Sequence, residues 1–244
     1  MCDDWMSTIR LALTPEQFER LPRNPAYRYE LLDGEAFLSP RPLHYHALLD
    51  LRPMAGDPDV PLRPVRNGDW EELARLFAAA FYHIQPFGSL DEQTRLEAAR
   101  RCLGRTRTGG DGPWIEQASF LAAGEDDRPD GAILVTLLPD GDPCDWDSYY
   151  WSAPPPPDCV ARRLGRPHLT WVFVTPLEAG QGVGTALLAA AVRALLGLGY
   201  AELASTFMVG NDSSMLWHWR NGFRLLTHPG SPRALAERWR QGRV

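Results

Sequence analysis

A glycine-rich turn, AGQGVG, has residue types and spacing that can bind phosphate oxygens. Gly180, Gly182 and Gly184 lie between an apolar strand predicted at residues 169–174 and a long apolar helix predicted at residues 185–198. The first N–H groups of a helix have no intrahelical partner and carry a partial positive charge, so phosphate binds there readily. Because glycine has no Cβ, the backbone can approach a pyrophosphate closely. The pattern therefore predicts a phosphate-binding loop, with a purely structural connection as the alternative.

Two common nucleotide-binding loops do not fit this turn. In a Rossmann fingerprint the third glycine would stand at Leu187 or Thr185, and an acidic residue would end the next strand. A Walker loop requires a lysine, and all 25 cationic side chains of this chain are arginines. The turn must therefore belong to another class of phosphate-binding protein, if it binds phosphate.

The elements around the turn continue in a recognisable order: a strand at residues 203–209, an asparagine and a short aromatic helix. The characteristic residues are Val174, Pro176, the glycine turn, Ala186, Leu187, Leu188, Gly199, Tyr200, Asn211, Gly222 and Phe223. Together they resemble the core of the GNAT acyltransferases over residues 168–226, and the order of strands and helices extends the resemblance to residues 60–226. That family has the pattern Arg/Gln-x-x-Gly-x-Gly/Ala, followed by an asparagine and, eleven residues later, Gly-Phe.

The resemblance implies acetyl-CoA as co-substrate and assigns residues to it. The pyrophosphate would be bound by the turn, which consists of Ala179, Gly180, Gln181, Gly182, Val183, Gly184 and Thr185. Ala179 departs from the family pattern, so one side-chain phosphate contact is expected to be lost. Asn211 would contact the pantetheine arm or the phosphate end, or it would only cap the short helix. The strand residues Val172, Phe173 and Val174 would splay from the neighbouring strand and offer backbone groups to pantetheine.

Acetyl transfer by direct attack of an amine on the thioester has three requirements. The amine must be neutral, although the pKa of an alkyl amine is near 10. The developing oxyanion needs an N–H donor, which the resemblance places at Val174. The departing thiolate needs a proton, and the family's usual tyrosine is replaced here by His218, which could donate it or only hydrogen-bond near the surface of its short helix. No general base stands out: Glu116, Glu202 and a water relay remain open.

The resemblance places the acceptor site opposite the cofactor, at residues 81–87 and in the long loop at residues 139–167. That loop holds acidic and aromatic side chains that could bind a cationic amine by charge and cation–π attraction: Asp142, Asp145, Trp146, Asp147, Tyr149, Tyr150 and Trp151. Alternatively, the loop packs its own aromatic side chains. The acceptor is expected to be an amine-bearing small molecule or a peptide.

Residues 1–56 are expected to form an extension with a short helix capped by Thr14 and a hairpin around Asp33 and Gly34. This segment resembles the opening of PD-(D/E)XK nuclease-like proteins over about 35 residues. The later acidic and lysine positions of that nuclease core are missing, which favours a structural extension over a nuclease. A transferase domain at residues 57–230 and a tail at residues 231–244 are predicted to follow.

The fold class expected for the domain is α+β in three layers: a mixed, mostly antiparallel sheet flanked by helices, as in the GNAT fold. An edge strand is predicted at residues 60–66, and Asp69 and Ser89 are expected to cap the next two helices. Three functions compete: an N-acetyltransferase, a catalytically inactive acyl-CoA-binding module, and a nuclease-related or toxin–antitoxin role of the N-terminal segment.

Composition restricts the partners and the compartment. A formal net charge of −6 argues against a nucleic-acid-binding protein. The longest nearly apolar run has about 13 residues, short of the roughly 20 that span a membrane. The four cysteines lack metal-ligand spacing, so no metal is expected. With no signal-peptide pattern at the N-terminus, a cytoplasmic protein is expected; a homodimer remains open.

Overall fold

Helices cover both faces of a central β-sheet. The computed structural model describes residues 9–22, 27–40, 44–57, 59–124, 127–142, 151–208 and 210–226. The strands within these ranges are β1 (Ile9–Leu11), β2 (Tyr27–Leu32), β3 (Glu35–Pro40), β4 (His44–Asp50), β5 (Leu62–Pro64), β6 (Phe120–Ala123), β7 (Pro129–Pro139), β8 (Gly165–Val174), β9 (Glu202–Met208) and β10 (Arg224–Leu225). The helices are α1 (Pro15–Glu19), α2 (Trp70–Ala80), α3 (Glu92–Arg107), α4 (Cys159–Arg162), α5 (Val183–Gly197) and α6 (Asp212–Arg220).

Seven of the described strands form the central sheet, in the order β10-β4-β9-β8-β7-β6-β5. Every neighbouring pair is antiparallel except β8 and β9, which run parallel. The predicted edge strand is therefore confirmed as β5. The mixed, mostly antiparallel sheet is also confirmed.

The alternating side chains of β7 show how the three layers are held together. Ala132 and Leu134 pack with apolar residues of α2 and α3 on one face. Ile133 and Val135 pack with α5 on the other face. Successive strand residues point to opposite faces, so an uninterrupted apolar strand is suited to a sheet that is covered on both sides. This arrangement confirms the predicted α+β, three-layer fold.

The two predicted helix caps are wrong in detail. α2 begins after Asp69 as expected, but the Asp69 side chain makes no capping bond. Its carboxylate instead accepts two hydrogen bonds from the Arg63 guanidinium, at 2.8 and 2.9 Å. The cap of α3 is Asp91 rather than Ser89, because Asp91 accepts a hydrogen bond from the backbone N–H of Thr94. The first correction reflects the ion pair with Arg63, and the second reflects a choice between two possible capping side chains near the start of α3.

The N-terminal segment contributes to two sheets. Thr14 and Gln17 form the predicted capping box of α1, and β2 and β3 form the predicted hairpin, with β1 added to it as a third strand. β4, which the sequence analysis did not predict, lies inside the central sheet between β9 and β10. The boundary at residue 56 stays a prediction, although it would divide the chain after a strand that belongs to the central sheet.

The long loop at residues 139–167 is shorter than expected, since it includes α4 and the start of β8. Residues 143–150, with five of the predicted acceptor residues, lie outside the described ranges: Asp145, Trp146, Asp147, Tyr149 and Tyr150. The tail at residues 231–244 also lies outside them. Within the described residues, no helix is both long and apolar enough to span a membrane.

Candidate active site

The parallel strands β8 and β9 separate along their length and leave a gap in the sheet. They pair only at His168 with Ala204 and at Leu169 with Ser205, although both strands continue for several residues. Directly after β8, the N–H of Thr175 donates to the carbonyl of Asp130 in β7. Because N–H groups alternate in direction along a strand, those of Val172 and Val174 point away from β7, toward the gap. The gap is thus edged by backbone groups that can hydrogen-bond an inserted ligand.

The glycine-rich turn lies where the open end of this gap meets α5. Gly180 and Gly182 have φ values of +86° and +88°, a conformation that favours glycine. A Cβ added at either position would meet no atom within 4 Å, so the space beside the turn is open. Gly182 is the N-cap of α5; the N–H groups of Gln181 and Thr185 already donate to the carbonyls of Glu178 and Gly182, which leaves the other N–H groups at the helix start for an anion. The turn therefore offers an accessible set of donors for an anion.

The gap and the turn belong to one groove of about 2330 Å³. Of the residues predicted to act in catalysis or to bind acetyl-CoA, all line the groove except Gln181 and Val183. The Gln181 side chain is exposed and donates to the carbonyl of Leu177, and Val183 is buried in the core. The tertiary structure therefore brings together the residues of the turn, the residues of β8, Asn211 and His218.

α6 forms one wall of the groove and places Asn211 and His218. The Asn211 side chain accepts a hydrogen bond from the N–H of Ser214 at 3.0 Å, so it caps α6 while it lines the groove. The His218 ring is buried and stacks on Phe207 with 4.3 Å between ring centroids. Next to it, Trp217 lies against the start of α5, where a Cβ on Gly184 would be 3.1 Å from the indole nitrogen.

The hydrogen bonds of His218 define its protonation. Nδ1 lies 2.7 Å from the carbonyl of Ser214, which can only accept, so Nδ1 carries the proton. Nε2, at 2.8 Å from Oγ of Ser205, then accepts from that hydroxyl. Burial lowers the pKa of His218 to about 4, and the bond to Ser214 opposes this only in part. The imidazole is therefore neutral at pH 7, and Nε2 is an acceptor.

The comparisons with known proteins agree with this geometry. The model of the acetyltransferase (GNAT) family matches residues 70–223, which is more than half of the chain. The chain belongs to the acetyltransferase (GNAT) family. The match begins after the N-terminal segment, so the nuclease-like resemblance of that segment stays a prediction. Among curated proteins, none matches the sequence.

Solved structures of this family are similar at low sequence identity. A GNAT family acetyltransferase from Brucella melitensis in complex with acetyl-CoA is 19% identical, with a TM-score of 0.45, and the match covers 71% of this chain and 89% of that one. An aminoglycoside N-acetyltransferase in complex with CoA is 19% identical, with a TM-score of 0.40 over 67% and 91% of the two chains. An aminoglycoside 6'-N-acetyltransferase from Acinetobacter haemolyticus is 16% identical, with a TM-score of 0.43, and the match covers 68% of this chain and 92% of that one.

In this GNAT family chain, the wall opposite the glycine turn is aromatic. Phe81 contacts Phe87 and the β8 residues Trp171 and Phe173. Phe87 also contacts Phe77. From the long loop, Trp151 lines the groove and its indole N–H donates to the carbonyl of Leu137 at 2.9 Å. The expected role of residues 81–87 as part of the acceptor wall is consistent with this position. Asp142, although described, does not line the groove.

The sequence analysis missed a polar cluster at the floor of the groove, where His46, Thr170 and Thr206 line the groove and His168 and Thr136 lie behind them. His46, His168, Thr170, Thr206 and Thr136 lie on four neighbouring strands, β4, β9, β8 and β7. A single histidine or threonine in an apolar strand resembles an ordinary core residue, so no local signal distinguishes these positions. Only the pairing of the strands places them together. The proposed bases Glu116 and Glu202, in contrast, are not among the residues that line the groove.

Among the residues that the structure describes, no three His, Cys, Asp or Glu side chains are grouped so that they could hold a metal ion.

Proposed function

We propose that the chain is an N-acetyltransferase, which moves an acetyl group from acetyl-CoA to an amine by direct attack. The main support is the gap between β8 and β9, which opens beside an accessible glycine turn at a helix N-terminus. A long, thin cofactor with a diphosphate at one end fits this combination, because the turn offers donors for the diphosphate and the gap offers donors for the amide-rich arm. The Brucella melitensis relative was solved with acetyl-CoA.

In this proposal the residues of the turn, 179–185, bind the diphosphate mainly through backbone N–H groups. Ala179 offers no side chain, and the side-chain amide of Gln181 is turned toward the carbonyl of Leu177. Binding therefore depends on the backbone and on the dipole of α5. Val172, Phe173 and Val174 hold the pantetheine arm along the gap, and Asn211 contacts the cofactor from the N-terminus of α6.

The N–H of Val174 polarises the thioester carbonyl and stabilises the oxyanion that forms when the amine attacks. His218 is proposed to return a proton to the departing thiolate. In the neutral ring Nε2 has no proton to give, so in this proposal a proton from water in the groove reaches Nε2 through the Ser205 hydroxyl and passes back through the same hydroxyl to the thiolate. The low pKa then makes the imidazolium a strong acid toward a thiolate, whose pKa resembles that of cysteine at about 8.5.

A binding module without catalysis is the second candidate. Two observations favour it: Ala179 stands where the family has a side-chain phosphate ligand, and both nitrogens of His218 are already hydrogen-bonded within the protein. Such a module would keep the groove and bind acyl-CoA but release no thiol when amines are added.

Titration with acetyl-CoA, followed by a thiol-release assay on a panel of amines, separates these possibilities. At 100 times its dissociation constant, acetyl-CoA should raise the free energy of unfolding by about 2.7 kcal/mol. ATP serves as a control, since it has a polyphosphate but no pantetheine arm to occupy the gap. Thiol release only in the presence of an amine supports the transferase, and binding without release supports the module. Failure to bind acetyl-CoA would reject both.

A further inference from the structure

A buried arginine lies at the end of the aromatic wall, opposite the glycine turn. Arg95, on α3, lines the groove although only 5% of its surface is exposed. Its Nη1 donates to the carbonyl of Leu90 at 2.8 Å, and its guanidinium carbon lies 4.6 Å from the centroid of the Tyr82 ring. Among the described residues, neither Nε nor Nη2 has a hydrogen-bond partner, and no carboxylate forms an ion pair with this side chain.

This guanidinium carries a charge that the protein compensates only in part. Arginine is not deprotonated in proteins, and a buried charge is costly unless it is paired. The carbonyl of Leu90 and the Tyr82 ring supply some compensation. Nε–H and the adjacent N–H of Nη2 form one edge of the guanidinium, and Nη2, unlike Nε, is not fully enclosed. Because such an edge matches the two oxygens of a carboxylate, a carboxylate that enters the groove fits it best.

Arg95 differs from the other cationic side chains of α2 and α3 that line the groove. Arg75 is paired with Glu72 at 2.6 Å, and Arg105 is paired with Asp111 at 2.8 Å. Those two charges are neutralised within the protein. Arg95 is therefore the cation of these two helices that remains for a ligand.

The two faces of the sheet separate the cofactor from this arginine. Val174 packs on the same face as α5, whereas Phe173 packs with α2 and α3 on the other face. From Phe173 the aromatic wall continues to Phe81, at 6.3 Å between ring centroids, and Tyr82 follows Phe81 in the chain. A molecule that reaches the gap from the face of α2 and α3 therefore passes along Phe81, with Arg95 at its far end.

We propose that Arg95 binds a carboxylate of the acceptor, and that the acceptor is an elongated amino acid with an apolar middle. This proposal rests on the proposed acetyl transfer and names the class of its acceptor. The amine lies at the gap, the apolar middle lies along Phe81 and Phe87, and the carboxylate binds the edge of the guanidinium. Because an aromatic side chain lies between the gap and Arg95, several carbon atoms must separate the amine from the carboxylate.

Pairs of acceptors that differ only in the carboxylate provide the test. Aminohexanoic and aminooctanoic acids, with the amine on the last carbon, are compared with their primary amides in the thiol-release assay. For the wild type, kcat/KM should be at least about tenfold higher for the acids, mainly through KM, since a charge-assisted hydrogen bond contributes about that much. Arg95→Met should abolish this preference, whereas a purely structural role of Arg95 would change acid and amide alike. Arg101→Met, at an exposed position of the same helix, is the matched control and should keep the preference.

The Nε–H signal of Arg95 in a ¹⁵N NMR spectrum provides a second measurement that requires no turnover. Octanoate, which has the carboxylate but no amine, should shift this signal in the presence of acetyl-CoA, and octanamide should not. An Nε–H signal that octanoate leaves unchanged, or an active wild type with equal kcat/KM for acids and amides, would overturn the proposal while leaving the transfer intact. A wild type that acetylates no amine would instead reject the transfer, and the effect of octanoate alone would then decide whether Arg95 binds a carboxylate.

Discussion

The ring of His218 is neutral, buried and bonded at both nitrogens, and these properties restrict what it can do. A tyrosine at this position would offer its hydroxyl proton directly to a thiolate. The imidazole is instead bonded to Ser205, whose hydroxyl group is itself buried. In the proposed transfer, the proton would therefore have to pass through this pair rather than come directly from the ring.

Replacing His218 by Phe tests its catalytic role. Phe preserves the stacking on Phe207 but removes both ring nitrogens. If His218 returns the proton to the thiolate, kcat should fall at least about tenfold, with the affinity for acetyl-CoA nearly unchanged. Trp219→Phe, at the exposed neighbouring position, is the control and should behave as the wild type. A full rate in His218→Phe would exclude the residue from the mechanism.

The stability of the protein should depend on pH through its buried histidines. In the folded state the pKa is about 4 for His218 and about 3 for His168, against an ordinary value of 6.5. Between these limits the unfolded chain binds more protons than the folded one, so the free energy of unfolding rises with pH. The stabilisation is complete above pH 6.5 and is lost progressively toward pH 4.

Denaturant unfolding at pH 7, 6 and 5 measures this dependence. His218→Phe removes one of the two groups, and the slope of the unfolding free energy against pH should fall by up to about 1.4 kcal/mol per pH unit. If the slope of the unfolding free energy against pH were the same in the variant and the wild type, the pKa of His218 would not be lowered by folding, which would contradict the effect expected from its burial.

The start of α5 and the side chain of Trp217 on α6 lie close together beside the glycine turn, and both line the groove. A Cβ at Gly184 would lie 3.1 Å from the Trp217 indole nitrogen, closer than nearly all ordinary contacts. Gly184 therefore serves the packing of two helices, besides the phosphate binding that we propose for the turn. This use of the glycine could not be inferred from the turn alone.

Gly184→Ala should force the indole to move and should weaken acetyl-CoA binding by about tenfold, since overpacking costs about 1–3 kcal/mol. Isothermal calorimetry measures the effect. Adding Trp217→Phe makes room for the methyl group and should restore much of the affinity. At the other end of α5, Gly197→Ala is the control: a Cβ there meets nothing within 4 Å, and binding should not change. Equal affinities for Gly184→Ala and the wild type would show that the contact is unimportant.

The position of β4 makes the molecule depend on its N-terminal segment. β4 pairs with β9 over the seven residues His44–Asp50 and with β10 on its other side. Ala47 and Leu48 within it have no exposed surface. The strand is therefore a central member of the sheet, even though the family match begins 20 residues after it ends.

Two truncations test this dependence. Removing residues 1–43 leaves the seven-stranded sheet intact, and the remaining chain should still unfold cooperatively. Removing residues 1–50 also deletes β4, which uncovers the edge of β9 and the core beneath it, and the product should be insoluble or lack a cooperative thermal transition by circular dichroism. Similar midpoints for the two truncated chains would show that the sheet does not need β4.

Much of the fold was predictable because its signals are local. The apolar strands β7 and β8, the glycine turn and the apolar helix α5 were identified from short stretches of sequence, since each has its own periodicity or turn chemistry. The caps of α2 and α3 were not predicted correctly. Arg63, on strand β5, binds the carboxylate of Asp69 and keeps it from capping α2, and Asp91 is closer than Ser89 to the start of α3.

By itself, the sequence determined the class of the protein: the turn from residue 179 to 184, Asn211 and Gly222 with Phe223 are close enough along the chain to form one pattern. It did not reveal β4 or the polar cluster of hydroxyl groups and imidazoles from Thr136 to Thr206. Those depend on strand pairings between residues that are far apart in the chain, and the free energy of such pairings comes from the burial of whole surfaces. Only the tertiary structure decided which of the many separate histidines and threonines meet at the groove.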